Sequence, residues 1–316
     1  MRLRQPSRRD FVLSAAAASG AVLLPIDSSE QTFQIRVGTT ANDSYAEPFY
    51  AADQGFFSRA GLNVSVEPFS NGAGITNALA GNAIDVGITN PISLANAVQH
   101  GLPLAFFATA ALYNRNCLAL CVAQDSPIHT AKDLEGKTIG VVALKDGNSL
   151  EIVAWIDSNG GDSSKVQLVE VPFATMAATV RRGTVAAAPI GQPALSIATK
   201  EGGLRQIGHP ADVYGKSFMI GGYFAHIDWL QANKPLVRQF VNSIYDTARW
   251  ANAHPDESGR ILAKYSKMDP EVVRTMDREP YGDSFGPQQF QSYLDLGYKY
   301  KYVSSLMNAK DLIVAV

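Results

Sequence analysis

Short apolar runs closed by glycine, proline or a polar loop recur along this chain. They alternate with stretches whose apolar positions fall at helical spacing. FQIRVGTTAND (33–43), NVSVEPF (63–69), KTIGVVALKDG (137–147) and QLVEVPF (167–173) read as strands that run into loops. NVSVEPF is followed by a helical stretch and AGNAIDVGITNP (80–91), and QLVEVPF by RGTVAAAPIGQP (182–193). In this internal match Gly81 aligns with Gly183, Asn90 with Gln192 and Pro91 with Pro193. Each copy predicts strand, loop, helix, strand, loop, its helix closed by a left-handed glycine, Gly81 or Gly183. Strands alternating with helices imply parallel sheets with crossover helices, hence two α/β lobes built alike.

Beyond about residue 217 the pattern changes to helix alone. Val237, Phe240, Val241, Ile244, Tyr245 and Ala248 hold helical spacing, with Asn233 as cap and Pro235 in the first turn. Asp269-Pro270-Glu271 opens another helix, and a third begins near Pro287 with Phe290, Tyr293 and Leu294 on one side. Such a tail is expected to pack on a lobe, because alone it would expose its apolar stripes.

The first residues read separately. Arg2, Arg4, Arg8 and Arg9 precede the uncharged stretch Phe11–Ile26, short for a membrane span and suited to the apolar region of an export leader. Ser7-Arg8-Arg9-Asp10-Phe11 resembles the twin-arginine export signature. Removing residues 1–26 would take the formal charge from −2 to −5, since four arginines and Asp10 leave together. That balance, without any nucleic-acid-reading motif, argues against a nucleic-acid partner. The two cysteines, Cys117 and Cys121, stand in NCLALCV, which reads as a strand. Four residues of strand span roughly 13 Å, too far for a disulfide, so both thiols are expected to be free and buried.

SNGAGITNALAGNAIDVGITNP (70–91) carries the most glycine at a strand-to-helix turn. Asn77 stands where a dinucleotide fingerprint needs its third glycine, Asp85 comes too early for a ribose ligand, and no P-loop lysine follows. Asn71, Gly72, Ala73 and Gly74 instead form a small-residue loop opening onto a helix N-terminus. Free N–H groups there can donate to an oxygen of a ligand, or the loop is simply a tight turn.

At this point a family resemblance enters. The stretch from PFYAADQGFFSRAGLNVSVEPF through SNGAGITNALAGNAIDVGITNP to ISLANAVQHGLPL (48–104) resembles the first lobe of ABC-transporter substrate-binding proteins. The group concerned captures nitrate, alkanesulfonates, taurine and thiamine-precursor pyrimidines. SPIHTAKDLEGKTIGV (126–141) resembles its entry into the second lobe. The resemblance implies a two-lobe periplasmic-binding-protein-like α/β fold with two hinge strands, near Tyr113–Leu118 and Ser217–Gly222, and a helical C-terminal tail packed on lobe 1. Expected boundaries are 1–31 for the leader, 32–112 plus 218–316 for lobe 1 with the tail, and 113–217 for lobe 2. The implied role is extracytoplasmic capture of a small organic anion, sulfonate or carboxylate, by a monomer that needs no cofactor and delivers to a membrane permease. A pyrimidine ligand and a sensor role remain as alternatives. The cysteine-rich motif of the related pyrimidine synthase is absent, as are a Ser-His-Asp order, a paired-carboxylate loop and a zinc-protease pattern, so no catalytic residue is assigned.

Residues expected at the cleft each have a bland alternative. Thr39, Thr40 and Asn42 follow the first strand, as ligand donors or caps. Tyr45 is placed to stack on or bond a ligand, with Phe49 in the core. Asn90, before Pro91, is cap or contact, whereas Gln192, a poor cap residue before Pro193, points to the cleft. Tyr113 is placed on the pocket floor, with Arg115 next to it facing a ligand anion or solvent. Lys145 is the best-placed cation of lobe 2, or an exposed lysine beside Asp146. Phe173 closes its strand as Phe69 does, placed to pack on a ligand ring or simply on the loop. Arg181 and Arg182 suit a helix C-terminus. The histidines at 100, 129, 209, 226 and 254 lack ligand spacing, so no metal is expected.

Overall fold

The structure, a computed structural model, describes residues 34–70 and 72–315, with Ala73 described by its backbone alone. The expected leader, 1–31, and Asn71 lie outside the described residues. Ten strands form two five-stranded sheets among those residues. The strands are β1 (Gln34–Thr40), β2 (Asn63–Phe69), β3 (Val86–Thr89), β4 (Leu104–Thr109), β5 (Leu118–Ala123), β6 (Thr138–Val141), β7 (Gln167–Glu170), β8 (Ala187–Gly191), β9 (Leu204–Gly208) and β10 (Gly222–His226). The first sheet has the order β2-β1-β3-β10-β4 and the second β7-β6-β8-β5-β9. In each, the fourth strand alone runs against the others. The internal match in sequence therefore corresponds to a repeated topology.

Those antiparallel strands are the ones entered from the other sheet. Chain passes from β4 to β5 and from β9 back to β10, and the two crossovers pair: Tyr113 N–H donates to Phe218 O at 2.9 Å and Ile220 N–H to Ala111 O at 2.8 Å. These are the two hinge strands: the second falls within the expected Ser217–Gly222, whereas the first pairs at 111–113, just ahead of most of the expected Tyr113–Leu118, which turns as 3-10 helix at Arg115–Cys117. A third partner was not predicted. Leu112 N–H donates to Pro280 O at 2.7 Å and Gly282 N–H to Ala110 O at 2.9 Å, so residues 280–282 of the tail extend the hinge into a three-stranded ribbon.

Helices fill the crossovers: α1 (Glu47–Asp53), α2 (Phe56–Arg59), α3 (Gly72–Ala80), α4 (Pro91–Gln99), α5 (Gly147–Ser158), α6 (Phe173–Arg181) and α7 (Ala194–Glu201). The tail adds α8 (Ile227–Ala232), α9 (Lys234–Ala253), α10 (Pro255–Ser266), α11 (Pro270–Thr275) and α12 (Gln291–Lys299). Their starts follow the side-chain chemistry. Asn90 Oδ1 accepts from Ser93 N–H at 3.0 Å to begin α4, Asp146 and Ser149 form a reciprocal capping box on α5, and Asp269 caps α11. Asn233 precedes α9 but does not cap it, because its amide donates to Trp229 O. Gly183 ends α6 in the left-handed region as predicted, with φ 70°, whereas after α3 that conformation falls to Asn82, φ 55°. Gly81 still continues the helix, donating to Asn77 O, and asparagine tolerates the left-handed well.

Ile35, Val37, Ile88 and Tyr223 face α9 on one side of the first sheet. Phe106 and Phe224 face Ile75, Leu79 and Ile92 of α3 and α4 on the other. The second sheet packs α5 on one face and α6 with α7 on the other. As expected the tail packs on the first lobe: Phe49 of α1 stacks on Tyr265 of α10 with centroids 4.3 Å apart. It also reaches the second, where Tyr293 of α12 stacks at 3.7 Å on Tyr214, whose hydroxyl donates to Gly147 O. Cys121 lies in β5 and Cys117 in a 3-10 turn just before it. Both are free and buried, and burial pushes the Cys121 thiol up to about 12 and Cys117 higher still. No helix of the described residues is long and apolar enough to cross a membrane.

Candidate functional site

The site begins at the carboxyl edge of the first sheet. Side chains alternate along a strand, and since Ile35 and Val37 of β1 and Val86 and Ile88 of β3 face α9, Thr40 and Thr89 face the α3 and α4 side. Pairing of Thr89 with Gly222, and of Gly222 with Thr109, extends the row to a third threonine. All three hydroxyls are buried and have no hydrogen-bond partner. An orphaned buried hydroxyl costs about 1–3 kcal/mol, so three in one row mark a place built for something else to bond. Gly72, the first residue of α3, borders it: a Cβ there would stand 3.5 Å from Thr89 Oγ1. Gly74 follows in the same first turn, as does the Ala73 backbone.

Neighbouring predicted residues divide. Thr39 points to the other face, its hydroxyl donating to Tyr45 O at 2.5 Å, and Asn42 caps the following turn by accepting from Tyr45 N–H at 3.1 Å. The Tyr45 ring lies against Gly221 of the hinge, where a Cβ would come within 2.5 Å of Cε1. That close approach requires glycine. Asn90 serves as cap, and its side chain also favours the ionised form of Asp146 in the second lobe. The lobes touch here: a Cβ on Gly147 would stand 3.3 Å from Asn90 Oδ1, and Asn96 Nδ2 donates to Lys145 O at 3.3 Å.

Four predicted contacts are engaged elsewhere. Lys145 Nζ sits 4.6 Å over the Tyr302 ring and donates to Lys301 O at 3.3 Å, so this cation clasps the tail. Gln192 does cap, contrary to expectation for its type: Oε1 accepts from Ser196 N–H at 3.2 Å while Nε2 donates to Asn116 O. Tyr113 stacks on Phe218 at 4.5 Å and donates to Asp212, which also pairs with exposed Arg115 at 2.9 Å. Phe173 opens α6, partly exposed, with its ring against Gly191.

Three carboxylates were missed by the reading of the sequence. Asp146, at the α5 N-terminus, is pushed by burial up to about 6 despite its capping bonds. Glu151, one turn on, is raised well above the carboxylate range by burial and by Asp146. Glu279, in the segment entering the hinge ribbon, is 9% exposed and raised to about 8 by burial and then by Asp43. Its Oε2 has no partner. On either side of it the side chains go to α1 and the 3-10 turn before it: Arg278 forks onto Asp43 and Tyr50, and Tyr281 donates to Asp43 O. Glu279 lies instead beside Ser44, Tyr45 and Cys117. Asp146 was visible as a cap signal, but nothing in DREP (277–280) marks Glu279.

A cavity of about 300 Å³ opens on the tail side of this segment, lined by Asn252, Ser258, Arg278, Glu279 and Tyr281 among others. Its polar walls are largely satisfied: Asn252 bonds the Tyr281 backbone twice, and Arg278 holds Asp43. Among the described residues no group of three or more histidines, cysteines or carboxylates is placed to hold a metal ion.

The model of the NMT1/THI5-like family matches residues 42–258, more than half of the chain. The chain belongs to the NMT1/THI5-like family. Its relatives include the taurine-binding periplasmic protein of Escherichia coli K12, 26% identical over 258 residues, 81% of this chain and 78% of that protein. Among solved structures, the alkanesulfonate-binding protein SsuA of Xanthomonas axonopodis pv. citri superposes with a TM-score of 0.76 at 18% identity, covering 90% of this chain and 98% of that one. The fold also carries an enzyme. The desulfurization enzyme DSZB superposes with a TM-score of 0.66 at 14% identity, over 89% of this NMT1/THI5-like chain and 96% of its own.

Proposed function

We propose that this protein is the solute-binding component of an ABC importer, capturing a small organic anion between its lobes and handing it to a membrane permease. The row of buried, unpartnered hydroxyls at Thr40, Thr89 and Thr109 carries the reading. It lies beyond the carboxyl ends of parallel strands, where open α/β sheets bind ligands, and beside the first turn of α3, whose N–H groups favour anionic oxygen. We assign residues 32–112 with 218–316 to lobe 1 and 113–217 to lobe 2, and place Thr40, Tyr45, Gly72, Ala73, Gly74, Thr89 and Asn90 at the cleft. Family relatives named as binding proteins for taurine and alkanesulfonate support a sulfonate, and they support capture over catalysis. Periplasmic relatives support an extracytoplasmic location, reached through the twin-arginine-like leader. The functional unit is a monomer.

Calorimetry of the leader-free chain against alkanesulfonates, short carboxylates, nitrate and aminopyrimidines tests the reading. Saturable micromolar binding that Thr89→Val weakens is the expected result. Absence of binding across the panel overturns it.

A further inference from the structure

Contacts between the two lobes are not confined to the hinge. The end of the tail is fixed to lobe 1: Ser304 N–H donates to Gln99 Oε1 of α4 at 2.8 Å, Gln99 Nε2 to Ser305 O at 3.1 Å, and Val314 N–H to Phe106 O of β4 at 2.9 Å. From that anchorage three tyrosines reach lobe 2. Tyr293 stacks on Tyr214, and the Tyr300 hydroxyl donates to the Asp157 carboxylate of α5. Tyr302 puts its ring under Lys145 Nζ, 4.6 Å from the centroid, and its hydroxyl against that of Ser149. Lys145 also donates to Lys301 O at 3.3 Å. None of these groups belongs to the threonine row or to α3.

We propose that residues 293–302 form a strap that fastens lobe 1 onto α5 and the loop before it, and that this strap tightens the grip on every solute by the same factor without selecting among them. The inference rests on the solute-capture reading and on the lobe assignment given with it. Contacts made only when the lobes are together stabilise the closed form whatever it holds. The apparent Kd is the intrinsic one divided by the fraction of free protein that is closed, so a strap that raises this fraction strengthens all binding alike. The free protein still opens, at a higher cost. Lys145, the cation expected to meet an anion, acts in this scheme on the tail of its own chain.

Calorimetry of the leader-free chain with taurine, ethanesulfonate, nitrate and 4-aminopyrimidine tests this, together with small-angle X-ray scattering of the free proteins. Lys145→Met and Tyr300→Phe are each expected to weaken every probe that binds by about two- to fivefold, the worth of one exposed cation–π contact or hydrogen bond. The double variant is expected to lose the product of the two factors, and Lys145→Arg, which keeps a cation over the Tyr302 ring, to stay within about twofold of wild type. Lys145 is exposed and Tyr300→Phe keeps its ring, so both variants are expected to fold, which melting curves check. The free double variant should have a larger radius of gyration than the free wild type, and the two should agree when saturated. Unchanged affinities overturn the inference. So does a loss confined to the anionic probes, which would return Lys145 to the solute, or equal scattering of the two free proteins. Failure of every probe to bind the wild type overturns the proposed function instead, and the scattering of the free proteins then decides the strap by itself.

Discussion

Replacing Glu279 by glutamine in the unliganded protein should stabilise it at neutral pH and hardly change it in acid. In the fold the carboxyl is held up to about 8, against an ordinary 4.5, mainly by burial. The folded state thus keeps a proton that the unfolded chain has lost, and the associated stability is complete below pH 4.5 and disappears as pH rises through about 8. At pH 7 roughly 2.5 units of that difference count, which at about 1.4 kcal/mol each is roughly 3 kcal/mol against the wild type. At pH 5 the gap is below about 1 kcal/mol. For a chain of this size 3 kcal/mol corresponds to roughly 6–10 °C in Tm. Groups facing Glu279 are Asp43, Arg278, Ser44, Tyr45, Cys117 and, across Tyr45, Asp146. Asp146, near 6, also titrates in this range, but it is present in both proteins and cancels in the difference. Differential scanning calorimetry of both proteins from pH 5 to 8 measures the gap. A gap of constant size, or a variant less stable than wild type at pH 7, would refute the argument that burial outweighs Ser44 and Arg278 at Glu279.

Other expectations follow from single contacts. Thr89→Val replaces an orphaned hydroxyl by a methyl and should raise the unliganded stability by about 1 kcal/mol in urea titration while weakening solute binding. Gly221→Ala puts a Cβ within 2.5 Å of the Tyr45 ring, and should cost about 1–3 kcal/mol, largely recovered when combined with Tyr45→Ala. Phe240 packs on Phe57 with centroids 5.5 Å apart beneath the first sheet, so Phe240→Ala should cost about 3–5 kcal/mol without altering which solute binds.

Repetition made the fold legible. Strand–loop–helix order recurs at residues 63–91 and 167–193, and each copy became two parallel strands of its own sheet, on either side of the strand that precedes the copy. Hinge strands followed from the family resemblance, but the third ribbon strand at 280–282 did not, because PYG carries no strand periodicity and pairs only through long-range backbone bonds. Of the residues proposed for the cleft, Thr40, Tyr45, Gly72 and Asn90 are legible from their position at or after strand ends. Lys145 and Gln192, expected at the cleft from their intrinsic chemistry, make other contacts: a left-handed backbone turns the lysine to Tyr302, and a nearby amide, Ser196 N–H, gives the glutamine a cap role its type seldom takes. Glu279 stayed hidden since burial decided its behaviour, and burial of one residue in a loop comes from helices far away in sequence.

Closure of two lobes over a solute is the claim on which the rest depends, and small-angle X-ray scattering of the leader-free chain with and without saturating taurine measures it directly. The account predicts a contraction of the radius of gyration on binding, as the free protein opens at residues 110–113 and 218–221 and the bound one adopts the contact between Asn96 and Lys145. Tight binding with superimposable scattering curves would contradict it.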